Sequence, residues 1–252
     1  MYNTPAPYNP ISRKAQPMHD WILSTEGSDA DRVFVRQQLR AYNCEQLPGF
    51  FDMGPGGSFG TQFIDEPFWF TVFEITIGQH GVLTLTDAGD ADLPITGLTW
   101  SAMRDFCEVL GGRVPTETEW EYVARGPQNR LYPWGDSPVP DSSRVATDRL
   151  MPVGSFPESA SWVGVQDLLG NARETTTTIY YNVSATVDYV PTEAFEEEVL
   201  PDVQRVIRGG SFNSSINPLS NLLREGYGGQ DETIGFRCMV PYNATPADAI
   251  SD

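Results

Sequence analysis

The chain has 252 residues and an apolar fraction of 40%, which is enough for one large domain with a sizeable core. Its 23 glycines, 20 prolines and abundant aromatic residues predict a loop-rich fold with few long helices. The formal charge of -18 argues against nucleic acid or an anionic membrane surface as a partner, because both would repel it.

Two further classes are disfavoured by the sequence. No stretch reaches the roughly 18 to 20 uninterrupted apolar residues of a membrane helix, and Met1 to Lys14 lack the apolar segment of a signal peptide. We therefore expect a soluble chain without membrane insertion, either cytoplasmic or exported after processing. The three cysteines, Cys44, Cys107 and Cys238, are too scattered for a disulfide framework or a CxxC metal site. They allow at most one disulfide.

The chain divides into an N-terminal arm over residues 1–45, a folded domain over residues 46–242 and a tail over residues 243–252. Within the arm, apolar residues recur among charges from Asp29 to Tyr42, which predicts an amphipathic helix. Phe68 to Ile77 is rich in aromatic and β-branched residues and predicts a buried strand.

Two helices are predicted next. Thr99 can cap a helix that runs through Leu110, and Thr116 with Glu119 has the spacing of a capping box for a helix that ends near Gly126. Tyr132 to Asp136 predicts a turn, and residues 181–204 predict an exposed acidic insertion. Two apolar runs, residues 205–208 and 234–240, predict strands on either side of a polar stretch.

Four blocks in order resemble the formylglycine-generating-enzyme family, also called the sulfatase-modifying-factor domain. They are Glu74-Ile-Thr76, the run LTWSAMRDFCEVLGGRVPTETEWEYVARG continued to YPWGD, GVQDLLGNARE after Pro152-Val-Gly154, and Arg208-Gly-Gly-Ser211 with Gly235-Phe-Arg-Cys238. The resemblance covers about residues 50–242. It implies an α+β, C-type-lectin-like fold with small antiparallel sheets, few helices and long packed loops.

The resemblance also shows what the chain lacks. Copper-dependent members use two cysteines shortly after RGGS, because thiolates select Cu(I). The matching positions here are Ser214 and Leu219, neither of which can replace a copper thiolate, so we expect no copper. Cys107 and Cys238 match positions that form a structural disulfide in some members. The resemblance leaves open whether they are bridged or reduced in this chain.

A calcium site is the cofactor that the resemblance favours. The family binds calcium with an oxygen side chain, two main-chain carbonyls and a carboxylate, which here correspond to Asp167, Gly170, Ala172 and Glu174. Hard cations prefer such oxygen ligands. The alternative is that Asp167 and Glu174 only cap turns on an acidic surface. Arg173 stands where the family usually has tryptophan.

The stretch between RGGS and GFRC belongs to the exposed ligand surface of this fold. Its asparagines, serines and one tyrosine are typical of an adaptable recognition surface, although an ordinary solvated loop is the alternative. Variable proteins of diversity-generating retroelements place their diversified residues in this segment and bind other macromolecules. The candidate ligand contacts are Phe212, Asn213, Ser214, Ser215, Asn217, Asn221, Arg224 and Tyr227.

Two functions remain open, and the sequence favours the first. One is a non-catalytic, calcium-stabilised recognition module that binds a protein or another macromolecule through residues 212–233. The other is an enzyme of the same superfamily with an unrecognised site lined by Ser214, Arg224 or Arg237. In GFRC, Arg237 is more typical of a structural ion-pair partner.

Overall fold

The computed structural model describes residues 32–35, 50–54, 57–64, 68–84, 90–137, 147–180, 204–214 and 224–241. Three helices lie in these ranges: α1 (Ile77–Thr84), α2 (Trp100–Val109) and α3 (Glu117–Arg125). The strands are β1 (Arg32–Val35), β2 (Phe50–Asp52), β3 (Thr61–Phe63), β4 (Phe68–Thr71), β5 (Arg173–Ile179), β6 (Arg205–Arg208), β7 (Glu225–Tyr227), β8 (Ile234–Gly235) and β9 (Met239–Pro241). A short 3-10 helix covers Pro157–Ser159.

The strands form three small sheets. One has the order β1-β4-β9, a second is the β2-β3 hairpin, and the third has the order β7-β6-β5-β8. All pairs are antiparallel except β5 with β8. In the third sheet Glu174 lies opposite Arg208, which brings the GNARE and RGGS segments side by side.

Two groups of buried apolar side chains hold these elements together. The first joins α3 to β2 and β4 through Trp120, Tyr122 and Phe70, and the second joins α2 to the third sheet through Phe106, Ile207 and Phe236. A disulfide between Cys107 and Cys238 crosses the second group and ties α2 to the segment before β9. None of the helices in the described ranges has the length and apolar character needed to cross a membrane.

Both predicted helix starts have the expected hydrogen bonds. Thr116 accepts from the Glu119 N–H while the Glu119 carboxylate accepts from the Thr116 N–H, and Thr99 accepts from Ala102 N. The Tyr132 to Asp136 turn is closed by paired hydrogen bonds between Tyr132 and Gly135. Residues 181–203 of the acidic insertion and residues 242–252, which include the tail, lie outside the described residues.

The helix predicted over residues 29–42 is wrong where the structure describes it. Residues 32–35 form β1, which pairs antiparallel with β4 over four positions. Two β-branched valines at alternate positions suit an extended strand, and pairing with β4 outweighs the weak helical periodicity.

The strand predicted over residues 68–77 ends early. Its strand geometry stops at Thr71, and α1 begins at Ile77. A second reciprocal cap explains the change: Thr76 Oγ1 accepts from the Gln79 N–H, and Gln79 Oε1 accepts from the Thr76 N–H. The predicted strand over residues 234–240 is likewise divided into β8 and β9.

Candidate functional site

A buried chain of alternating charges supports the segment that follows RGGS. Glu117 and Glu121, one turn apart on α3, both accept from the Arg208 guanidinium, at 2.9 and 2.7 Å. All three side chains are fully buried. Burial alone would lower the pKa of Arg208, but the Glu121 and Glu117 carboxylates outweigh it and raise that pKa. The guanidinium is therefore held charged inside the domain.

The chain of charges continues at both ends. On one side Arg125 donates to Glu121 at 2.6 Å, and Gly54 N donates to the same oxygen. On the other side Arg224 Nε donates to both oxygens of Glu117 at 2.9 Å, and the Arg224 side chain is only 7% exposed. Arg224, one of the predicted ligand contacts, thus anchors the start of β7 to α3.

The turn after β6 fixes the position that holds a copper thiolate in the catalytic members. Ser214 Oγ accepts from the Ser211 N–H at 2.9 Å, and the Ser214 N–H donates to the Ser211 carbonyl. Gly209 has a φ of 92°, and a Cβ there would lie 2.7 Å from the Leu168 carbonyl oxygen. Only glycine permits this close approach. The side chain at position 214 is thus a hydroxyl engaged in closing its own turn.

Arg173 forms a second ionic group near this turn. Its guanidinium donates to Glu225 Oε2 at 2.8 Å, to Asp231 Oδ2 at 3.2 Å and to Thr233 Oγ1 at 2.7 Å. Hydrogen bonds from Thr233, together with the nearby Arg173, lower the pKa of Asp231. The residue that replaces the family's tryptophan therefore ties β5 to both ends of the segment between β7 and β8.

A buried carboxylate cluster lies beneath the GNARE turn. We use this name for Glu74, Asp167 and Glu174, which surround the single guanidinium of Arg237. Arg237 Nε donates to Glu174 Oε2 at 2.8 Å, and Trp120 Nε1 donates to the same oxygen at 2.8 Å. The nearest contact between Arg237 and Glu74 is 3.8 Å.

The carboxylate cluster has three carboxyl groups and a single arginine to balance them. Burial raises the pKa of Glu74 well above its usual range, and the Asp167 charge raises it further. Burial also raises the pKa of Asp167 and of Glu174 despite their contacts with Gly154 and Arg237. Two buried oxygens, Glu74 Oε2 and Glu174 Oε1, have no hydrogen-bond partner among the described residues. Sequence reasoning used Glu74 as a family marker and missed it as part of this group.

Three of the four predicted calcium ligands, Asp167, Gly170 and Ala172, lie in one turn, and the fourth, Glu174, lies in β5. Asp167 and Gly170 both have positive φ, at 59° and 88°, and the turn leads directly into β5, where Glu174 is buried. Asp167 Oδ2 accepts from Gly154 N at 2.6 Å. Among the described residues no three His, Cys, Asp or Glu side chains form a metal site, so a cation here would also need main-chain oxygens such as those of Gly170 and Ala172. The buried excess charge and the two orphaned oxygens fit a hard cation.

A cleft of about 850 Å³ opens beside Phe212. Asn171 joins two of its walls, because its carbonyl accepts from Phe212 N at 2.7 Å and its side chain accepts from Met151 N at 2.9 Å. The Val153 N–H donates to the Asp92 carbonyl and fixes a third wall. The residues that line the cleft are Asp90, Ala91, Asp92, Leu93, Thr96, Asp148, Arg149, Leu150, Met151, Pro152, Phe212 and Glu232.

The predicted ligand contacts are distributed unevenly. Phe212 lines the cleft, Asn213 is exposed, and the Tyr227 hydroxyl donates to the Gln230 carbonyl at the edge of the third sheet. Ser215, Asn217 and Asn221, together with Leu219, lie outside the described residues. None of the three catalytic alternatives lines the cleft: Ser214 closes its own turn, Arg237 is fully buried, and Arg224 is bound to Glu117.

Comparison with known proteins decides the family. A profile for the "Sulfatase-modifying factor enzyme 1-like domain" matches residues 49–241, about three quarters of the chain. The chain belongs to the sulfatase-modifying-factor family. Its fold is accordingly the loop-rich, C-type-lectin-like one of that family.

Two curated relatives show how this sulfatase-modifying-factor domain is distributed. "Serine/threonine-protein kinase pkn1" of Chlamydia caviae is 31% identical over 233 residues, which cover 90% of this chain and 34% of the relative. "Inactive C-alpha-formylglycine-generating enzyme 2" of Bos taurus is 27% identical over 178 residues, or 62% of this chain and 53% of the relative. The chain thus spans about a third to a half of these relatives.

A solved structure gives the same fold. "Treponema denticola variable protein 1" has a TM-score of 0.60 to this sulfatase-modifying-factor domain and is 14% identical in sequence. The similarity covers 83% of this chain and 94% of that one. At this identity the match establishes the common fold.

The charge of the buried carboxylate cluster leads to a prediction about pH. With calcium chelated, the raised pKa of Glu74 makes the folded state bind more protons than the unfolded state above about pH 4.3, so stability should fall as pH rises. Glu74→Gln keeps the acceptor for Ala172 N and removes the charge. The free energy of unfolding should therefore depend less steeply on pH in the variant, by up to about 1.4 kcal/mol per pH unit.

Urea denaturation in chelator between pH 4 and 8 measures this difference. The exposed substitution Glu108→Gln is the control and should leave the slope unchanged. If Glu74→Gln and the wild type show parallel curves, Glu74 is not the group whose protonation stabilises the folded state.

Proposed function

We propose that this chain is a ligand-recognition module of the sulfatase-modifying-factor family that has lost the family's copper chemistry. The observation that carries the proposal is the state of position 214: a serine hydroxyl that accepts the Ser211 N–H and closes a turn. A hydroxyl is a poor ligand for Cu(I), which selects soft thiolates. The second thiolate position is Leu219, which offers no donor atom at all.

The proposed recognition surface is the face built from the segment over residues 212–233. Its described part combines the half-buried Phe212, the exposed Asn213 and the partly buried Tyr227. An aromatic anchor surrounded by small polar groups is the composition of adaptable protein-binding surfaces. Arg224 and Arg173 are fixed by carboxylates, so binding would require little ordering of the main chain over residues 224–233. The partner is a protein or another macromolecule.

Two similarities support this proposal over an enzyme with an unrecognised site. One relative is named as an inactive formylglycine-generating enzyme, and a structure with the same fold is named as a variable protein. We place the chain with the variable proteins of diversity-generating retroelements as the subclass of this proposal. Of the three residues suggested for an alternative active site, Arg224 and Arg237 are engaged in ion pairs inside the domain, and Ser214 closes its own turn.

The proposal predicts binding without oxidation. Supplied with copper and oxygen, the protein should not convert a cysteine-containing peptide to an aldehyde, whereas an active copper-dependent family member run in parallel should. Conversion at a comparable rate would contradict the proposal.

A protein array tests whether the proposed surface binds a partner. Partners bound by the wild type should lose at least about tenfold in affinity with Tyr227→Ala, because aromatic anchors carry a large share of interface energy. Asp136→Asn, in the Tyr132 to Asp136 turn, is the control. Partners that respond equally to both variants, or to neither, would count against this surface.

We also propose that calcium binds at Asp167, Gly170, Ala172 and Glu174 and stabilises the turn that supports the recognition surface. The proposal rests on the buried excess of carboxylates and on the orphaned Glu174 Oε1. When bound, calcium would neutralise charge that burial otherwise disfavours. Glu174 also accepts from Trp120 and Arg237, so its removal would destabilise the chain even without the ion.

Asp167→Asn is therefore the cleaner test, since an amide oxygen can still accept from Gly154 N. Calcium at about 100 times its dissociation constant should add about 2.7 kcal/mol to wild-type stability and clearly less to the variant. In chelator the variant should melt no lower than the wild type, because the amide removes a charge that burial disfavours. Asp105→Asn, exposed on α2, is the control and should keep the full calcium response. A calcium response of the same size in Asp167→Asn, or none in the wild type, would refute the site.

A further inference from the structure

We infer that the cleft beside Phe212 binds a lysine or arginine side chain of the macromolecular partner. This inference rests on the proposed recognition function and names the chemistry of the group that the surface recognises. The cleft lies where the segment over residues 212–233 meets the loops over residues 90–96 and 148–152. A partner bound to the segment would therefore have side chains within reach of the cleft.

The charge of the lining selects a cation. Four carboxylates, those of Asp90, Asp92, Asp148 and Glu232, line the cleft together with the single guanidinium of Arg149. None of these carboxylates forms an ion pair within the part of the chain that the structure describes. A net excess of negative charge in a concave site attracts positive groups more strongly than the same charges on a flat surface. The chain's overall charge of -18 adds to this attraction.

The lining of the cleft as a whole favours an organic cation over a metal ion. No three acidic, histidine or cysteine side chains converge as a metal site among the described residues, and this includes the cleft. Single carboxylates spaced around a cavity are suited to a group that donates several hydrogen bonds in different directions. An ammonium has three hydrogen-bond donors and a guanidinium has five, so either group can bridge two or more of the carboxylates.

The remaining lining fits the rest of such a side chain. Phe212, Leu93, Leu150 and Met151 contribute apolar surface to the same cavity. Lysine and arginine bury their methylene stems against apolar groups while the charged head stays near carboxylates. The Phe212 ring can also attract the cation through its π face. A small inorganic cation would make no use of this apolar surface.

The cleft is formed before any ligand arrives. Asn171 holds Met151 and Phe212 through its side chain and its carbonyl, and the Asp92 carbonyl accepts from Val153 N. The Glu232 carboxylate lies beside Gly97, where a Cβ would be 3.0 Å from it. Walls tied together by main-chain hydrogen bonds change little on binding, which keeps the entropic cost of occupying the cleft low.

The test uses simple probes and does not need the natural partner. Titration of N-acetyl-arginine and N-acetyl-lysine methylamides into the 15N-labelled full chain should shift the amide signals of Thr96, Phe212 and Glu232. N-acetyl-citrulline methylamide, which is nearly isosteric with the arginine probe but uncharged, should bind at least about tenfold more weakly. The double variant Asp92→Asn/Glu232→Gln should weaken the cationic probes by about tenfold.

A charge-matched control separates the cleft from the general field of the protein. Asp105→Asn/Glu108→Gln removes the same charge from the exposed face of α2, outside the cleft, and should leave both affinities within about twofold. Equal weakening by the two double variants would overturn the assignment, as would equal binding of the citrulline probe. Spermidine binding more than about tenfold tighter than both amides, with the same shifts, would assign the cleft to a free polyamine instead. The probes are not macromolecules, so none of these results decides whether the chain recognises a macromolecular partner. The protein array answers that question separately.

Discussion

The buried contact of Arg208 with Glu117 and Glu121 is the interaction on which the rest of the domain depends. Removing three charged groups from water is costly, and the structure offsets the cost with two hydrogen bonds at 2.9 and 2.7 Å and with additional donors to both glutamates. Loss of Arg208 alone would leave two carboxylates buried without their central partner, which typically costs about 3 to 5 kcal/mol. The contact also fixes the register of α3 against the third sheet.

The buried ion pairs around Arg208 extend to the segment between β7 and β8, near the surface of the domain. Arg224 reaches inward to Glu117, and Arg173 binds Glu225 and Asp231, so both ends of the segment between β7 and β8 are held by charges on the scaffold. Trp120 links this arrangement to the carboxylate cluster, since its ring lies 5.0 Å from the Arg208 guanidinium and its N–H donates to Glu174. The ion pairs of the described residues thus form one connected frame beneath this face of the domain.

Short-range signals in the sequence predicted local structure well, and long-range pairing explains the errors. Thr116 with Glu119 defines its helix because the cap involves residues three apart. The same rule applied to Thr76 and Gln79 would have shown that the predicted strand over residues 68–77 had to end before α1. No local pattern indicates that residues 32–35 pair with β4, because that contact depends on a partner more than thirty positions away.

The sequence predicted the candidate functional site about as well as it predicted the helices and strands. Family motifs located Asp167, Glu174 and the turn at Ser214, but their neighbours emerge only in three dimensions. Glu117 and Glu121 fall in a helix whose charges would normally face solvent, and nothing in the sequence shows that Arg208 and Arg224 meet them. The acidic lining of the cleft likewise combines three separate segments of the chain.

Buried ion pairs hold the proposed recognition surface in place from within. Hydrogen exchange of backbone amides in an Arg224→Met variant tests it most directly, because Glu117 keeps its contact with Arg208. Loss of a charged hydrogen bond should open β7 locally, so its amides should exchange at least about tenfold faster while those of α3 keep their wild-type rates. Unchanged exchange in β7, or equal acceleration throughout the domain, would contradict the claim.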